Sequence, residues 1–277
     1  MKRKVFAIAL CLILVVSTFT ACSSKPTSTN GGKVIKIGVF EPLTGENGGG
    51  GFQEALGMRY ANEVYPTVKI GGETYKIELV EVDNKSDKTE AVSAAQNLIS
   101  KDVSVDYYFR VCYLDPFQGT VMANYAFQEG AKNAAVITQL GDDYSSGLGN
   151  YFVTAFKELA GNDSIVSEEQ FQTNQTDFKA ILTNVKAANP DVIFAPSSMT
   201  TAPLIIKQAR ELGITATIMA GDTWENSSVI ENAGKYAEGV VLSTFYDEAD
   251  PATEEAKSFL KGFKEYLKKN KQSEIIP

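Results

Sequence analysis

Residues 134–159 read AAVITQLGDDYSSGLGNYFVTAFKEL. Ala134–Gln139 is a short, mostly apolar run of the kind that forms a strand buried on both faces. Asp142 and Asp143 then interrupt it, and either can cap a helix. Leu148, Phe152, Phe156 and Leu159 follow at spacings of four, four and three, which is one face of an amphipathic helix. Strand, capped turn and helix make half of a β-α-β unit.

The same alternation repeats on both sides. Downstream, a strand near Ser164–Phe171 precedes a helix faced by Phe178, Ile181, Leu182 and Val185. Strand Val192–Ala195 leads to a helix lined by Leu204, Ile205, Ala209 and Leu212, which stops at Gly213, a good residue just past a helix end. Strands near Thr217–Ala220 and Val240–Ser243 continue the series, and Lys257–Lys269 is a last basic helix. Upstream, strand Val34–Phe40 is followed by Phe52, Leu56, Tyr60 and Val64 on one helix face. Strand Ile77–Val82 precedes a helix with Asp87 and Glu90 at capping-box spacing and Ala91, Ala94, Ala95 and Leu98 inside. Repeated β-α units predict an α/β fold with parallel sheets covered by helices. In such sheets ligands bind beyond the carboxyl ends of the strands. The segments to watch are therefore Glu41–Gly51, Asp83–Asn84, Gly141–Ser145, Ser197–Thr201 and Asp222–Glu225.

The chain has 277 residues, 44% hydrophobic and 22% charged, enough for one large domain or two lobes. Its net charge is −8, and the cations Lys2, Arg3 and Lys4 lie at its N-terminus, so the body is more acidic still. That balance argues against nucleic acid as a partner. There is no histidine, which excludes Ser-His-Asp and Cys-His catalysis and every His-based metal site. The cysteines are Cys11, Cys22 and Cys112, so neither a disulfide framework nor a Cys-x-x-Cys metal site is expected in the body. No metal or cofactor is implied. An enzyme would have to work with bare carboxylates, and no pair is placed to do so; the chain reads as a non-enzyme. Cys112, without a neighbouring base, is expected to be a small buried apolar residue.

Residues 1–21 read as a leader. Lys2-Arg3-Lys4 precedes an apolar run from Val5 to Val16, too short for the roughly 20 residues that span a bilayer. Ser17-Thr18-Phe19-Thr20-Ala21 then leads to Cys22, with small residues before a cysteine as in a bacterial lipobox, although that pattern favours Leu where Phe19 stands. Cleavage would leave Cys22 as a lipidated N-terminus. Residues 22–32 are polar and rich in Ser, Thr, Pro and Gly, a tether. A single acyl chain binds membranes only marginally, so stable anchoring needs the several chains a lipoprotein cysteine carries. The reading is a body held outside the cytoplasmic membrane by a lipid anchor.

Among the site segments, Gly48-Gly49-Gly50-Gly51 lacks a following Gly-Lys-Ser/Thr, and Gln53 stands where a dinucleotide fingerprint needs glycine. It is either a flexible loop or a helix start whose free N–H groups could hold a carboxylate. Tyr144 offers a flat wall and a hydroxyl at a crevice edge. Asp222, straight after Met219-Ala220-Gly221, either pairs with a ligand ammonium or caps a helix beginning near Glu225. Trp224 either walls the crevice or packs in the core.

Val34–Gly45 (VIKIGVFEPLTG), Glu78–Glu90 (ELVEVDNKSDKTE), Phe109–Gly119 (FRVCYLDPFQG), Asp142–Leu148 (DDYSSGL), Asn189–Phe194 (NPDVIF), Ile205–Ile214 (IIKQARELGI) and Gly221–Trp224 (GDTW) resemble the branched-chain amino-acid-binding proteins of bacterial ABC importers. The likeness covers most of Lys33–Lys269. It implies two Rossmann-like lobes of parallel sheet flanked by helices, the type I periplasmic-binding fold, with an amino acid clamped between them. The first lobe would run over 33–113, the second over 114–243, and 244–277 would return a helix to the first. Tyr144 and Ser145 match the segment that packs on the ligand, Asp222 the acid that takes its ammonium, with Trp224 beside it. Thr44 and Gly45 match the first-lobe loop at the cleft. Ser198 stands where the family usually has a tyrosine. Members also carry more than one β-α-β unit between the equivalents of Val105 and Asp106, which adjoin here. The first lobe is therefore incomplete, and the missing turns are those that hold the ligand carboxylate. The resemblance implies a monomeric binding lipoprotein serving a membrane permease. Its alternatives are a sensor lipoprotein for a membrane receptor and a remnant that no longer binds.

Overall fold

The computed structural model describes residues 32–101, 103, 107, 109–244 and 246–272. The leader, Cys22, most of the tether and the Val105–Asp106 junction lie outside the described residues. In chain order, β1 (Val34–Glu41), α1 (Gly48–Val64), β2 (Thr67–Ile70), β3 (Glu73–Asp83) and α2 (Lys88–Ser100) come first. α3 (Asp115–Gln128), β4 (Ala134–Gln139), α4 (Asp143–Ala160), β5 (Ile165–Phe171), α5 (Lys179–Ala188), β6 (Val192–Phe194), α6 (Ala202–Glu211) and β7 (Thr217–Ala220) follow. The described chain ends with α7 (Ser227–Ala233), β8 (Val241–Leu242) and α8 (Glu254–Lys269). Among the described residues no helix is long and apolar enough to cross a membrane.

Five strands form one sheet in the order β5-β4-β6-β7-β8, every pair parallel. Ala134 faces Val192, Val192 faces Thr217 and Met219 faces Val241 in the register. Side chains alternate between two cores, as the pleat requires. Ala135, Ile137, Ile193 and Ile218 point to one face, where Leu182 and Val185 of α5, Ile205 and Ala209 of α6 and Val229 of α7 cover them. Ala134, Val136, Phe194 and Met219 point to the other, beneath Met122 and Ala126 of α3 and Leu148, Phe152 and Phe156 of α4. The Phe152 and Phe194 rings stack with centroids 4.4 Å apart. Double-faced burial is why these strands read as unbroken apolar runs rather than alternating ones.

The other sheet is smaller, three strands in the order β1-β3-β2 among the described residues. Its apolar interior is thin: Val39, Val82, Ala94, Ala55 and Leu56 are buried, with Phe263 and Leu267 of α8 packed against Leu56 and Tyr60 of α1. Val34, Ile37, Val92 and Ile99 stay exposed. Arg59 of α1 grips Glu81 of β3 with two hydrogen bonds, 2.6 and 2.7 Å. Among the described residues this sheet is thus smaller than the other, three strands against five.

Contacts divide the described chain into a small unit, 32–35 with Thr67–Ile77, and a large unit, Lys36–Pro66 with the residues from Glu78 on. The small unit is a hairpin: Thr67 pairs Lys76 and Ile70 pairs Glu73, antiparallel, around Gly71 and Gly72, both at positive φ. Glycine pairs of this kind supply the turn that two-residue hairpins need. This hairpin was not expected, and β3 begins at Glu73 rather than Ile77. Nor was α3, whose first turn carries Pro116. The last helix starts at Glu254, not Lys257, and the last strand of the larger sheet is trimmed to Val241–Leu242.

Unequal burial should show in amide exchange. β4 and β6, wholly buried, should exchange slowly, and Glu73–Asp83 should exchange much faster in native-state hydrogen exchange. Equal protection of both would show that the smaller sheet has a core as firm as the larger. Truncating Phe152 to Ala should cost about 3–5 kcal/mol in denaturant unfolding, as for other buried aromatics.

Candidate functional site

The carboxyl ends of β4, β6 and β7 leave backbone groups that the sheet no longer pairs, and side chains satisfy them. Asp142 is the N-cap of α4: its carboxylate accepts from Tyr144 N at 3.0 Å. Ser145 is wholly buried; its hydroxyl accepts from Gln139 N at 2.8 Å and donates to Pro196 O. It ties the ends of β4 and β6 together, so its oxygen is committed to backbone and does not face a crevice. Trp224 is 1% exposed and lies in the core with Ala195, Met199 and Val229, its Nε1 donating to Ser197 O at 3.1 Å. Of the two sequence readings for Trp224, the core one holds. Burial of the indole requires a partner for its N–H, and Ser197 O supplies it.

Asp222 opens a short 3₁₀ turn, Asp222–Trp224, and caps nothing. α7 begins only at Ser227 and is capped by Asn226, whose side chain accepts from Ser228 N at 2.9 Å. Asp222 Oδ1 instead accepts from the Tyr144 hydroxyl at 2.7 Å. Burial first, and then the Asp222 carboxylate, push the Tyr144 phenol well above its ordinary pKa, so it stays a donor. Gly221 makes this approach possible: a Cβ there would stand 2.1 Å from the Tyr144 oxygen, 2.7 Å from Leu148 Cδ2 and 2.9 Å from Gln118 Oε1. Gln118 of α3, buried, accepts from Ser243 Oγ at 3.1 Å. Neither residue was anticipated; a lone glutamine among Gly119, Met122 and Ala126 on one helix face was the available signal. Ser198 is 1% exposed, with its hydroxyl 3.1 Å from Thr200 Oγ1 and 3.3 Å from Thr201 Oγ1.

The loop after β1 is built by Asp83. Its Oδ1 accepts from Leu43 N (2.9 Å), Thr44 N (3.2 Å) and Lys85 N (2.8 Å), and its Oδ2 from Thr44 Oγ1 (2.6 Å). Gly45, with φ +88°, allows no side chain, since a Cβ would fall 2.1 Å from Lys85 O. Thr44 is thus held by Asp83, and both it and Gly45 remain exposed. The glycine run is not a loop: Gly48–Gly51 form the first turn of α1, with Gly48 N donating to Gly45 O and Gly51 N to Asn47 O. This turn meets the ends of the larger sheet. Gln139 Nε2 donates to Glu46 Oε2 at 2.9 Å, Met199 N to Asn47 Oδ1 at 3.3 Å and Asn226 Nδ2 to Gln53 Oε1 at 3.4 Å. Lys88 Nζ reaches Asp143 Oδ1 at 2.8 Å. Thr44 and Gly45 share this neighbourhood by chain position, but no hydrogen bond joins them to Tyr144 or Asp222.

The surroundings are acidic. Burial, then Asp222 and Asp247, raise Glu225, although Thr244 opposes them; burial, then Glu46 and Asp143, raise Asp142 against its own backbone bonds. Glu41 at the end of β1 is pushed up to about 8, chiefly by burial and then by its hydrogen bond and repulsion with Glu54. A carboxylate and a phenol in negative surroundings suit a cationic group, such as an ammonium. No cluster of His, Cys, Asp and Glu among the described residues could hold a metal ion. Cys112 departs from expectation: it is half-buried and its sulfur accepts from Arg110 Nε at 2.8 Å.

Comparison with known proteins gives a consistent picture. A family model described as "Periplasmic binding protein" matches residues 101–275. An "Amino acid binding protein" of Pseudomonas aeruginosa is 26% identical, over 88% of this chain and 74% of its own length. A "Leu/Ile/Val-binding protein homolog 3" of Brucella melitensis is 25% identical, over 82% and 72%. Among solved structures, the leucine binding protein LivK of Thermotoga maritima superposes with a TM-score of 0.76 at 31% identity, over 85% of this chain and 77% of that one. LivJ of Streptococcus pneumoniae, solved with isoleucine, gives 0.73 at 26%, over 85% and 78%.

Glu41 gives a pH test. Its folded pKa of about 8 lies above the ordinary 4.5, so the folded chain holds a proton that the unfolded chain releases. That contribution is complete below pH 4.5 and is lost as pH rises through about 8. Glu41→Gln should therefore flatten the fall in melting temperature between about pH 5 and pH 9 relative to the wild type. Parallel curves for the two proteins would mean that Glu41 is already ionised in the fold.

Proposed function

From its membership of the periplasmic binding protein family, to which the chain belongs by a family match over 101–275, we propose that this is an extracytoplasmic amino-acid-binding lipoprotein of the branched-chain type that serves an ABC importer. The observation that carries the reading is the Tyr144–Asp222 pair at the carboxyl edge of the larger sheet. In the proposal, Asp222 takes the ligand α-ammonium, the Tyr144 ring lies along the ligand, and Ser198 stands at the side-chain end. Thr44 and Gly45 face it from the loop that Asp83 braces. Ser145 and Trp224 support the site from behind, the first through Pro196 O and the second through Ser197 O. The acidic rim attracts the ammonium, and the contacts of Glu46, Asn47 and Gln53 favour a closed crevice. Relatives named for leucine, isoleucine and valine support the ligand class. Nothing in this chemistry needs a reaction, which agrees with a carrier rather than an enzyme. A lipidated Cys22, a membrane permease as partner and a place at the outer face of the cell membrane complete the proposal.

A second reading has an observation of its own. The smaller sheet has three strands among the described residues, and the family resemblance implies that the turns holding a ligand carboxylate are missing where Val105 adjoins Asp106. A clamp with one firm jaw would keep the fold and bind weakly. Equilibrium dialysis with labelled leucine, isoleucine and valine separates the two: micromolar retention supports the carrier, and none supports the remnant.

Where binding is measurable, Asp222→Asn should weaken it by about 1.5–3 kcal/mol, the worth of a hydrogen bond to a charged group. Unchanged affinity would leave Asp222 only its bond to Tyr144. Cys22→Ser should release the protein from the membrane fraction. Retention of that variant after a high-salt wash would refute the lipid anchor.

A further inference from the structure

The amino edge of the larger sheet carries a cavity of its own, about 450 Å³ in volume. Arg210 in the last turn of α6, Gly213, Thr215 and Thr217 on the way into β7, and Glu238 and Gly239 before β8 line it. β7 runs from Thr217 here to Ala220, just before Asp222, so this cavity and the proposed site lie at opposite ends of one strand.

Arg210 is held from one side only. Its Nη1 donates to Ile214 O at 2.8 Å and to Ala216 O at 2.9 Å, which closes the turn after α6 and fixes the guanidinium plane. Among the described residues its Nε and Nη2 have no partner. The other two described arginines differ: Arg59 pairs with Glu81 and Arg110 with Asp115. Half-buried without a counter-charge, Arg210 is pushed below its ordinary pKa by burial alone. The Nε–Nη2 edge left over is the fork that takes a carboxylate with two parallel hydrogen bonds. Beside it, the Thr215 and Thr217 hydroxyls are bonded to nothing among the described residues, and each can donate or accept. Glu238 lines the same cavity, exposed and in no ion pair among the described residues. The rim is open: a Cβ on Gly239 would meet nothing within 4 Å, and one on Gly213 only Lys186 Nζ at 3.8 Å. Lys186 is already committed to Leu212 O at 2.6 Å.

We propose that this cavity is a second binding site, for a small zwitterion whose carboxylate sits on the Nε–Nη2 edge of Arg210 and whose ammonium lies against Glu238. A cation and an anion that line one cavity without pairing with each other offer both charges to such a molecule. A plain anion would meet Glu238 as a repulsion. The volume is ordinary for a small-molecule site. The inference goes beyond the proposed amino-acid site and does not rest on it.

The test uses the full chain in detergent, with isotope-labelled arginine, and reads the Nε–H nuclear magnetic resonance signal that Arg210→Lys removes. Glycine, the simplest zwitterion, should shift that signal saturably at millimolar concentration. Acetate, which has only the carboxylate, should bind about tenfold more weakly, the worth of one hydrogen bond to a charged group. Glu238→Gln should bring glycine down to the level of acetate while the melting temperature stays unchanged, since Glu238 is exposed. Asp222→Asn should leave the response intact, which separates this site from the other. A signal insensitive to glycine, an equal response to acetate, no effect of Glu238→Gln, or loss of the response in Asp222→Asn would each overturn the inference.

Discussion

The larger sheet is parallel, and a parallel sheet has to be covered on both faces. That requirement organises the second half of the chain. It makes β4, β6 and β7 apolar on both sides, sends Ile137, Ile193 and Ile218 to one core and Val136, Phe194 and Met219 to the other, and fixes which helices cover each. It also leaves the carboxyl edge as the place where backbone polarity ends without a strand partner. Ser145, Thr223 and Trp224 all answer that need by bonding the Pro196 and Ser197 carbonyls. The proposed site is what remains at that edge once the backbone has been satisfied: a carboxylate and a phenol bonded to each other and open to exchange one partner for a ligand.

The smaller sheet shows what happens when the same requirement is met only in part. With three strands among the described residues, it buries few large side chains and depends on α8, where Phe263 and Leu267 meet Leu56 and Tyr60. It is nevertheless specific where it matters. Asp83 folds the loop that carries Thr44 and Gly45, and the first turn of α1 presents Glu46 and Asn47 to the larger sheet. The proposed clamp thus joins a rigid jaw to a lightly built one, and its strength depends on how far the second can be organised by ligand.

Most of this was legible in the residues because two-faced burial writes an unmistakable pattern: short apolar runs alternating with helical periodicity. The strands from Ala134 to Ala220 followed directly, and of the two aspartates that could cap the helix the structure uses Asp142. What escaped has physical causes. β2 and the first half of β3 are exposed, so they carry no apolar run, and only Gly71-Gly72 marks their turn. α3 is apolar on two sides, which blurs its period. Strand-end position singles out Tyr144 and Asp222, which the structure hydrogen-bonds to each other. Ser145 and Trp224 are instead buried and bonded to backbone carbonyls, a difference that sequence cannot show, and Gln118 lies in a helix not foreseen. Cys112 reads as apolar for want of a neighbouring base, but Arg110 bends back on its sulfur, which no spacing rule reveals.

The central claim is that Asp222 and Tyr144 together receive an amino acid at the carboxyl edge of the larger sheet. The most direct measurement is a crystal structure of the protein grown with leucine. The account predicts the ligand ammonium within hydrogen-bond distance of an Asp222 carboxylate oxygen and its backbone against the Tyr144 ring. Leucine bound elsewhere, or a Tyr144–Asp222 bond left untouched with no ligand beside it at saturating leucine, would contradict it.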